Sequence, residues 1–467
     1  MKNVLAVCLF TAATSASAAD LLDTWQAARA HDAEFSAAYA AFEAGSSRRD
    51  QARALWRPSV SVNVMVGSMT HDTGTKGAHF TAPGFGRSAG AGFDTSVRGG
   101  ALERYEVTAS QPLIDGKRRA QSRQLALSAD MASIAWADAR QALMLKAAQR
   151  YFDVLIATRT VELLRQQQTA AQRTLQESLD RHHIGDVPVT DTYEAAARME
   201  AVKAQVMLAH NDLLIKEAAY ADLTGQKPHD LAPLKADGKG GGGFAPSGSM
   251  DEWLARAASH NPSLQLQALE QQVAQQEADK HSALASPTLE LVGAAGYERL
   301  HGSGRYGSAS NKTESWMAGI QLGIPLFTGG HRSAKYEEAL HLRDKARAQA
   351  RHVRQQIELR TRAAWLSLNT GSSRLLALTQ ALSAGRARLD ATYLGHSLGE
   401  RTTLELLDAQ NAVTSDSLAL LRARSALVLD RLLLAALTGA LHESELQWAN
   451  CALQAAVCPD ETPTIGR

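Results

Sequence analysis

The chain has 467 residues, with 49 Lys and Arg against 48 Asp and Glu, so its net charge is +1. That balance gives no bulk electrostatic case for binding nucleic acid. It is 45% hydrophobic but only 5% aromatic, and this stock of Ala, Leu, Gln and Arg favours helices and excludes a disordered chain.

The N-terminus reads as a secretory signal over residues 1–19. Lys2 supplies the positive charge, residues 4–13 the apolar stretch, and Ala16-Ser17-Ala18 the small-residue cleavage site. The mature chain is expected to start near Ala19 or Asp20. Cys8 sits too early for a lipoprotein signal. Beyond it, no run reaches the roughly 18 apolar residues of a spanning helix. Residues 426–441 come closest, and Asp430 and Arg431 interrupt them. The expectation is an exported chain with no transmembrane helix. With Cys8, the chain's only other cysteines are Cys451 and Cys458. They form no framework and no metal pattern, and a disulfide between them across a short loop is left open.

Proline and glycine placement marks the elements in order. Residues 117–184 contain neither breaker. One helix there would be roughly 100 Å long at about 1.5 Å per residue, so coiled-coil-like packing is expected. In the second half, Leu368, Leu375, Leu382 and Leu389 recur every seven residues, with Ala364, Gly371, Leu378 and Gly385 between them. After Gly399 the seam resumes at Leu404, Leu407, Asn411, Thr414, Leu418, Leu421, Ser425, Val428 and Leu432. The three-four spacing is that of interlocking helices. Its many small and polar members suit helices packed side by side in a sheet or tube.

The chain repeats itself. Ala221-Asp222-Leu223-Thr224-Gly225 matches Ala435-Ala436-Leu437-Thr438-Gly439, and His183-Ile184-Gly185-Asp186 matches Ser397-Leu398-Gly399-Glu400. Tyr151 falls on Trp365. Residues 111–116 match 324–329, and residues 55–60 match 284–289. Two copies follow, residues 20–237 and 250–445, joined by a Gly-rich linker at 238–249 and followed by a tail at 446–467.

Each copy holds two alternating segments. Val60, Val62, Val64 and Val66 share one face, as do Tyr105, Val107 and Ala109. In the second copy Leu289, Leu291, Gly293, Ala295 and Tyr297 align, then Trp316, Ala318, Ile320, Leu322 and Ile324. Period two means strands, each about nine or ten residues, the span of a tilted membrane strand. Polar Gly-rich loops are expected at 68–100 and 298–315. Open sheet edges are not tolerated in lipid, and the smallest membrane barrels have about eight strands. Four strands per chain therefore require several chains to share a barrel, unless the sheet is a soluble cap on a helical bundle.

No motif supports an enzyme. Gly302-Ser303-Gly304-Arg305-Tyr306-Gly307 fits GxGxxG but opens no helix to face a phosphate. Asp72-Thr73-Gly74 and Asp94-Thr95-Ser96 fall in one expected loop, which cannot hold a carboxylate dyad. Adjacent His182 and His183 diverge on a helix. HExxH and Walker A are absent. Glu405 and Asp408 lie three apart after Gly399-Glu400-Arg401. On spacing alone they read as a solvated helix start, where acids meet the dipole favourably.

The tandem repeat, Pro325-Leu326-Phe327-Thr328-Gly329-Gly330, the turn Ser397-Leu398-Gly399-Glu400-Arg401-Thr402 and its counterpart at 183–188 together resemble the TolC family of outer-membrane channel proteins. The resemblance covers about residues 20–445. It implies a mainly α fold with a membrane β-barrel: long coiled-coil-like helices form an α-barrel, and four strands from each of three chains share a twelve-stranded barrel. It implies a passive homotrimeric export duct through the outer membrane and periplasm, with no cofactor, no metal and no nucleic acid. Its partners would be outer-membrane lipid, a periplasmic adaptor and an inner-membrane ABC or proton-driven transporter. By resemblance, the turns at Gly185-Asp186 and Gly399-Glu400 are adaptor-docking tips. Arg401 is the gating arginine, Asp191 its salt-link partner on the neighbouring hairpin, and Glu405 and Asp408 are acidic rings at the entrance. His396 stands near the family's gate tyrosine. The lack of a lipid-anchor cysteine leans toward a type I protein secretion system over a drug or metal efflux pump. A structural coiled-coil envelope protein without a pore is the reading from another class.

Overall fold

The computed structural model describes residues 19–84, 86–235 and 246–453. The expected signal up to residue 18, linker residues 238–245 and Cys458 lie outside the described residues. The elements are α1 (Leu21–His31), α2 (Ala33–Ala54), β1 (Ser59–Ala82), β2 (Gly86–Ile114), α3 (Gly116–His183) and α4 (Val189–Thr224). The order then recurs as α5 (Met250–His260), α6 (Pro262–Ser282), β3 (Thr288–Gly304), β4 (Gly307–Gly323), α7 (His331–Ser397) and α8 (Thr403–Leu437), followed by α9 (Glu443–Cys451). The breaker-free stretch is one 68-residue helix, α3.

The chain forms two compact units. One holds residues up to 43, 132–268 and 349 onward; the other holds 44–131 and 269–348.

In the first unit, Leu21, Trp25, Met144, Tyr151, Phe152, Leu432, Leu446 and Leu453 are buried in one apolar core. The Tyr151 hydroxyl donates to the Ala232 carbonyl at 2.7 Å. Asp20 caps α1, Asn450 accepts from the Leu21 amide at 3.0 Å, and its amide donates to Asp20 at 2.7 Å. The expected mature start is thus tied to α9. From residue 446, where a tail was expected, the chain continues in α9 to Cys451, with Leu446, Trp448 and Cys451 buried. The Arg431 guanidinium lies 3.5 Å over the Trp448 ring.

The repeated Leu-Thr-Gly has a physical reason. Gly225 and Gly439 end α4 and α8 with φ of 71° and 70°, the left-handed conformation that favours glycine after a helix. A Cβ on Gly225 would strike the His31 ring, and one on Gly439 the His260 carbonyl. One residue further, Asp32 accepts from the Phe35 amide at 2.6 Å, and Asn261 from the Leu264 amide at 3.0 Å. Each copy uses the same arrangement to turn its first helix into its second. Lys146 sits 3.0 Å from Asp32. Burial opposes ionisation of Asp32, yet the Phe35 amide and Lys146 hold its carboxyl below the usual range.

In the second unit the strands form one antiparallel sheet in the order β1-β2-β3-β4. Val62 pairs with Val107 and Val64 with Tyr105; Val107 pairs with Ala295 and Tyr105 with Tyr297; Ala295 pairs with Trp316. These make one apolar face, with Val62 66% and Trp316 86% exposed. The other face carries Asn63 opposite Glu106 and Arg104 paired with Glu298. Apolar outside and polar inside is the pattern of a membrane barrel wall.

The strands exceed the expected nine or ten residues. β1 and β2 run 24 and 29 residues, and β3 and β4 run 17 each. Of the stretches expected as loops at 68–100 and 298–315, residues 68–82, 86–100, 298–304 and 307–315 are strand, because antiparallel hydrogen bonding tolerates Gly and polar residues once the register is set. Asp72 and Asp94 accordingly stand on paired strands, opposite Ser96 and Gly74. The GxGxxG glycines close a hairpin, and Ile324 lies beyond β4.

Candidate functional site

Two helical turns, one in each copy, carry the candidate residues. Between α3 and α4, Gly185 has φ of 80°. The Asp186 amide returns to the Arg181 carbonyl at 2.9 Å, and the Arg181 and Asp186 side chains pair at 2.6 Å. Between α7 and α8, Gly399 has φ of 78° and the Glu400 amide returns to Gly395 at 2.8 Å. Both turns are helix stops of the left-handed type, where a glycine avoids the Cβ clash.

Thr402 caps α8. Its hydroxyl accepts from the Glu405 amide, while its own amide donates to the Glu405 carboxylate at 2.9 Å. This reciprocal capping box leaves the second Glu405 oxygen to Arg401, at 2.8 Å. The Thr402 amide and Arg401 hold the Glu405 carboxyl below its ordinary range. Arg401 can lie along the end of α7 because Gly395 has no Cβ; one there would sit 2.7 Å from the arginine stem.

Within the chain, then, the ion-pair partner of Arg401 is Glu405. Asp191 lies in the first turn of α4 and accepts from its neighbour Thr190 at 3.5 Å. Asp408, one turn along α8, faces Arg198 of α4 at 3.7 Å. The chain brings Arg401, Glu405 and Asp408 to the start of α8; it does not join Arg401 to its own Asp191.

Sequence reading passed over Arg181 and Arg198, which meet their partners through folding rather than a motif. His396 is buried and its Nε2 lies 3.3 Å from the Thr403 hydroxyl. Beside it is a cleft of about 410 Å³, lined by Glu177, Asp180, Arg181, Asp186, Tyr393 and Ser397. Burial and then the Arg181 charge hold the imidazole below its usual pKa, against Glu177 and Asp191. Cys451 is buried in α9. Among the described residues no cluster of His, Cys, Asp or Glu is arranged to hold a metal.

Among the described residues, four strands with an apolar face and two unpaired edges, in a chain with helices of nearly seventy residues, define a protomer of a membrane channel. Comparison identifies which kind. The outer membrane efflux protein family model matches residues 24–226 and 253–440, and the chain belongs to that family. The outer membrane protein TolC of Vibrio cholerae is 27% identical over 321 residues, covering 69% of this chain and 73% of the relative. The proteases secretion protein PrtF of Dickeya chrysanthemi is 26% identical over 419 residues, 87% of this chain and 85% of the relative. The outer membrane efflux protein BepC of Brucella suis is 25% identical over 66% of this chain and 65% of its own length. In fold, the CmeC outer membrane channel of Campylobacter jejuni superposes with a TM-score of 0.70 at 14% identity, over 90% of this chain and 86% of that one. The protein is an outer-membrane channel component that extends into the periplasm, and it is not an enzyme.

Proposed function

We propose that this chain is the exit duct of a type I protein secretion system. The observation that carries this is the reach of the similarity to PrtF, which spans 87% of this chain where the match to TolC of Vibrio cholerae spans 69%. Three copies close the sheet, since the free edges of β1 and β4 need partners in lipid. An ABC-type pump in the inner membrane and a periplasmic adaptor complete the system. The adaptor docks at the Gly185-Asp186 and Gly399-Glu400 turns.

In the closed duct, Arg401 links to Asp191 of the neighbouring hairpin. Adaptor binding supplies the differential affinity that favours the open state. Asp408 faces the entrance with one weak partner, whereas both Glu405 oxygens are engaged by Thr402 and Arg401. Carboxylates repeated around a narrow tube attract cations.

Planar-bilayer recording tests this. The wild type should show small, cation-selective conductance. Glu405→Ala with Asp408→Ala should raise conductance and weaken selectivity, and unchanged selectivity would remove both residues from the pore. A second reading, efflux of small molecules with a proton-driven pump, is favoured by the similarity to BepC. Restoration of protease export, as against drug resistance, in a strain lacking its own duct separates the two.

A further inference from the structure

The two hairpins are unequal, and the longer one is bent. The helices enter and leave the sheet at one end, so both hairpin turns lie at the other, the external end of a duct that extends into the periplasm. β2 carries an extra residue near Gly99 relative to both neighbours. Against β1 the register slips between Met69 and His71, and against β3 between Arg98 and Ala101. Gly99 has φ of 56°, and its amide donates to the Thr70 hydroxyl at 3.2 Å. A bulge of this kind re-aims a strand.

The direction of the bend can be read from β3. Gly302 and Gly304 fall on the same face as Leu300 and Glu298, the polar face that looks into the duct. A Cβ on Gly302 would lie 2.6 Å from the Gly100 Cα and 2.8 Å from the Arg98 carbonyl oxygen. One on Gly304 would lie 3.3 Å from the Ser96 carbonyl oxygen. The main chain of residues 96–100 therefore crosses the inner face of β3. At the crossing Val97, Leu102 and Leu300 are buried, at 1%, 5% and 1% exposure, with Met69 and Ala309 packed against them. A lone sheet buries side chains this fully only when something folds over them.

We infer that the β1–β2 hairpin beyond the bulge is an inward-leaning lid that narrows the outer mouth of the duct, held by Val97 seated on Leu102 and Leu300 and admitted by Gly302. Three such lids would narrow the mouth by their bulk. The number of lids rests on the trimer proposed above; the bend belongs to each chain.

Two variants release the lid. Gly302→Val places a side chain where the hairpin main chain lies, and Val97→Ser weakens the seat without adding bulk. Polyethylene glycols of graded size, added to one side of a bilayer holding the purified channel, report the width of each mouth. The cutoff on the hairpin side should shift to larger polymers in both variants, with the other side unchanged. Trypsin applied to intact cells should cut after Arg98 faster in the variants than in the wild type. An unchanged cutoff with unchanged cleavage in Val97→Ser overturns the lid even if Gly302→Val fails to assemble. Absence of any conductance in the wild type would instead count against the duct, and the cleavage rates would still decide the lid.

Discussion

At the scale of single residues, His396 is the side chain whose surroundings and chemistry conflict. It is buried among Arg181, Glu177, Asp191, Asp180, Asp186 and Tyr393, and burial with Arg181 outweighs the acids, so its pKa falls. A base whose pKa is lower folded than unfolded binds more protons when unfolded. Its neutral form adds nothing above the ordinary value of 6.5. As the pH falls below that value, the unfolded chain takes up the proton first and the α7–α8 turn loses stability. Hydrogen exchange of the backbone at 389–404 should therefore be faster in the wild type than in His396→Gln at pH 5.5, and alike in the two at pH 7.5. Equal rates at the lower pH would mean that folding does not weaken the hold of His396 on its proton. The two acids of the expected entrance differ on the same grounds. Asp408 meets Arg198 at 3.7 Å, whereas Glu405 serves the cap. Sequence spacing put them on equal terms because both lie on one face in the first turns of a helix, although only Glu405 stands three positions after a threonine, where a capping box asks for it.

Among elements, the α7–α8 pair shows how a small seam residue sets helix approach. Gly371 belongs to the heptad seam, and a Cβ there would overlap the buried Leu427 side chain of α8. Alanine normally stabilises a helix interior by about 1 kcal/mol over glycine. Overpacking a filled core site costs about 1–3 kcal/mol. Gly371→Ala should thus destabilise the helical unit by about 1 kcal/mol, measured as a lower midpoint in urea. A raised midpoint would show that Leu427 moves aside freely. Much of the seam was legible: Ala364, Leu368 and Leu382 are buried as the heptad implies. Leu404, also on the seam, is 47% exposed. Its partner cannot come from its own chain if the helices pack around a shared tube. The strand pattern was equally clear over residues 60–66 and 316–322, where Val60, Val62, Val64 and Val66, then Trp316, Ala318, Ile320 and Leu322, recur at every second position. It faded over 68–100, because glycine and hydroxyl side chains carry no period, although the register continues through them.

For the whole molecule, the open sheet decides the assembly. Among the described residues β1 and β4 each present one edge without an in-chain partner, and lipid leaves no water to satisfy it. Solubilised in mild detergent, the protein should run with the mass of three chains, and the trimer should dissociate only with loss of strand signal in circular dichroism. A monomer that keeps its strands would require another cover for those edges and would remove the shared barrel.

The sequence alone determined the long helices, the doubled order of elements and the strand faces, because breaker placement, repeats and period-two alternation are local. It also determined where both turns fall, since only glycine accepts their left-handed backbone. The tertiary structure alone decided that Arg401 is held by Glu405, that Asp408 meets Arg198, that Asn450 ties the C-terminal helix to Asp20, and that the longer hairpin leans across β3. Each of these joins groups whose meeting depends on the path of the chain between elements or around a turn, and no sequence period encodes that path.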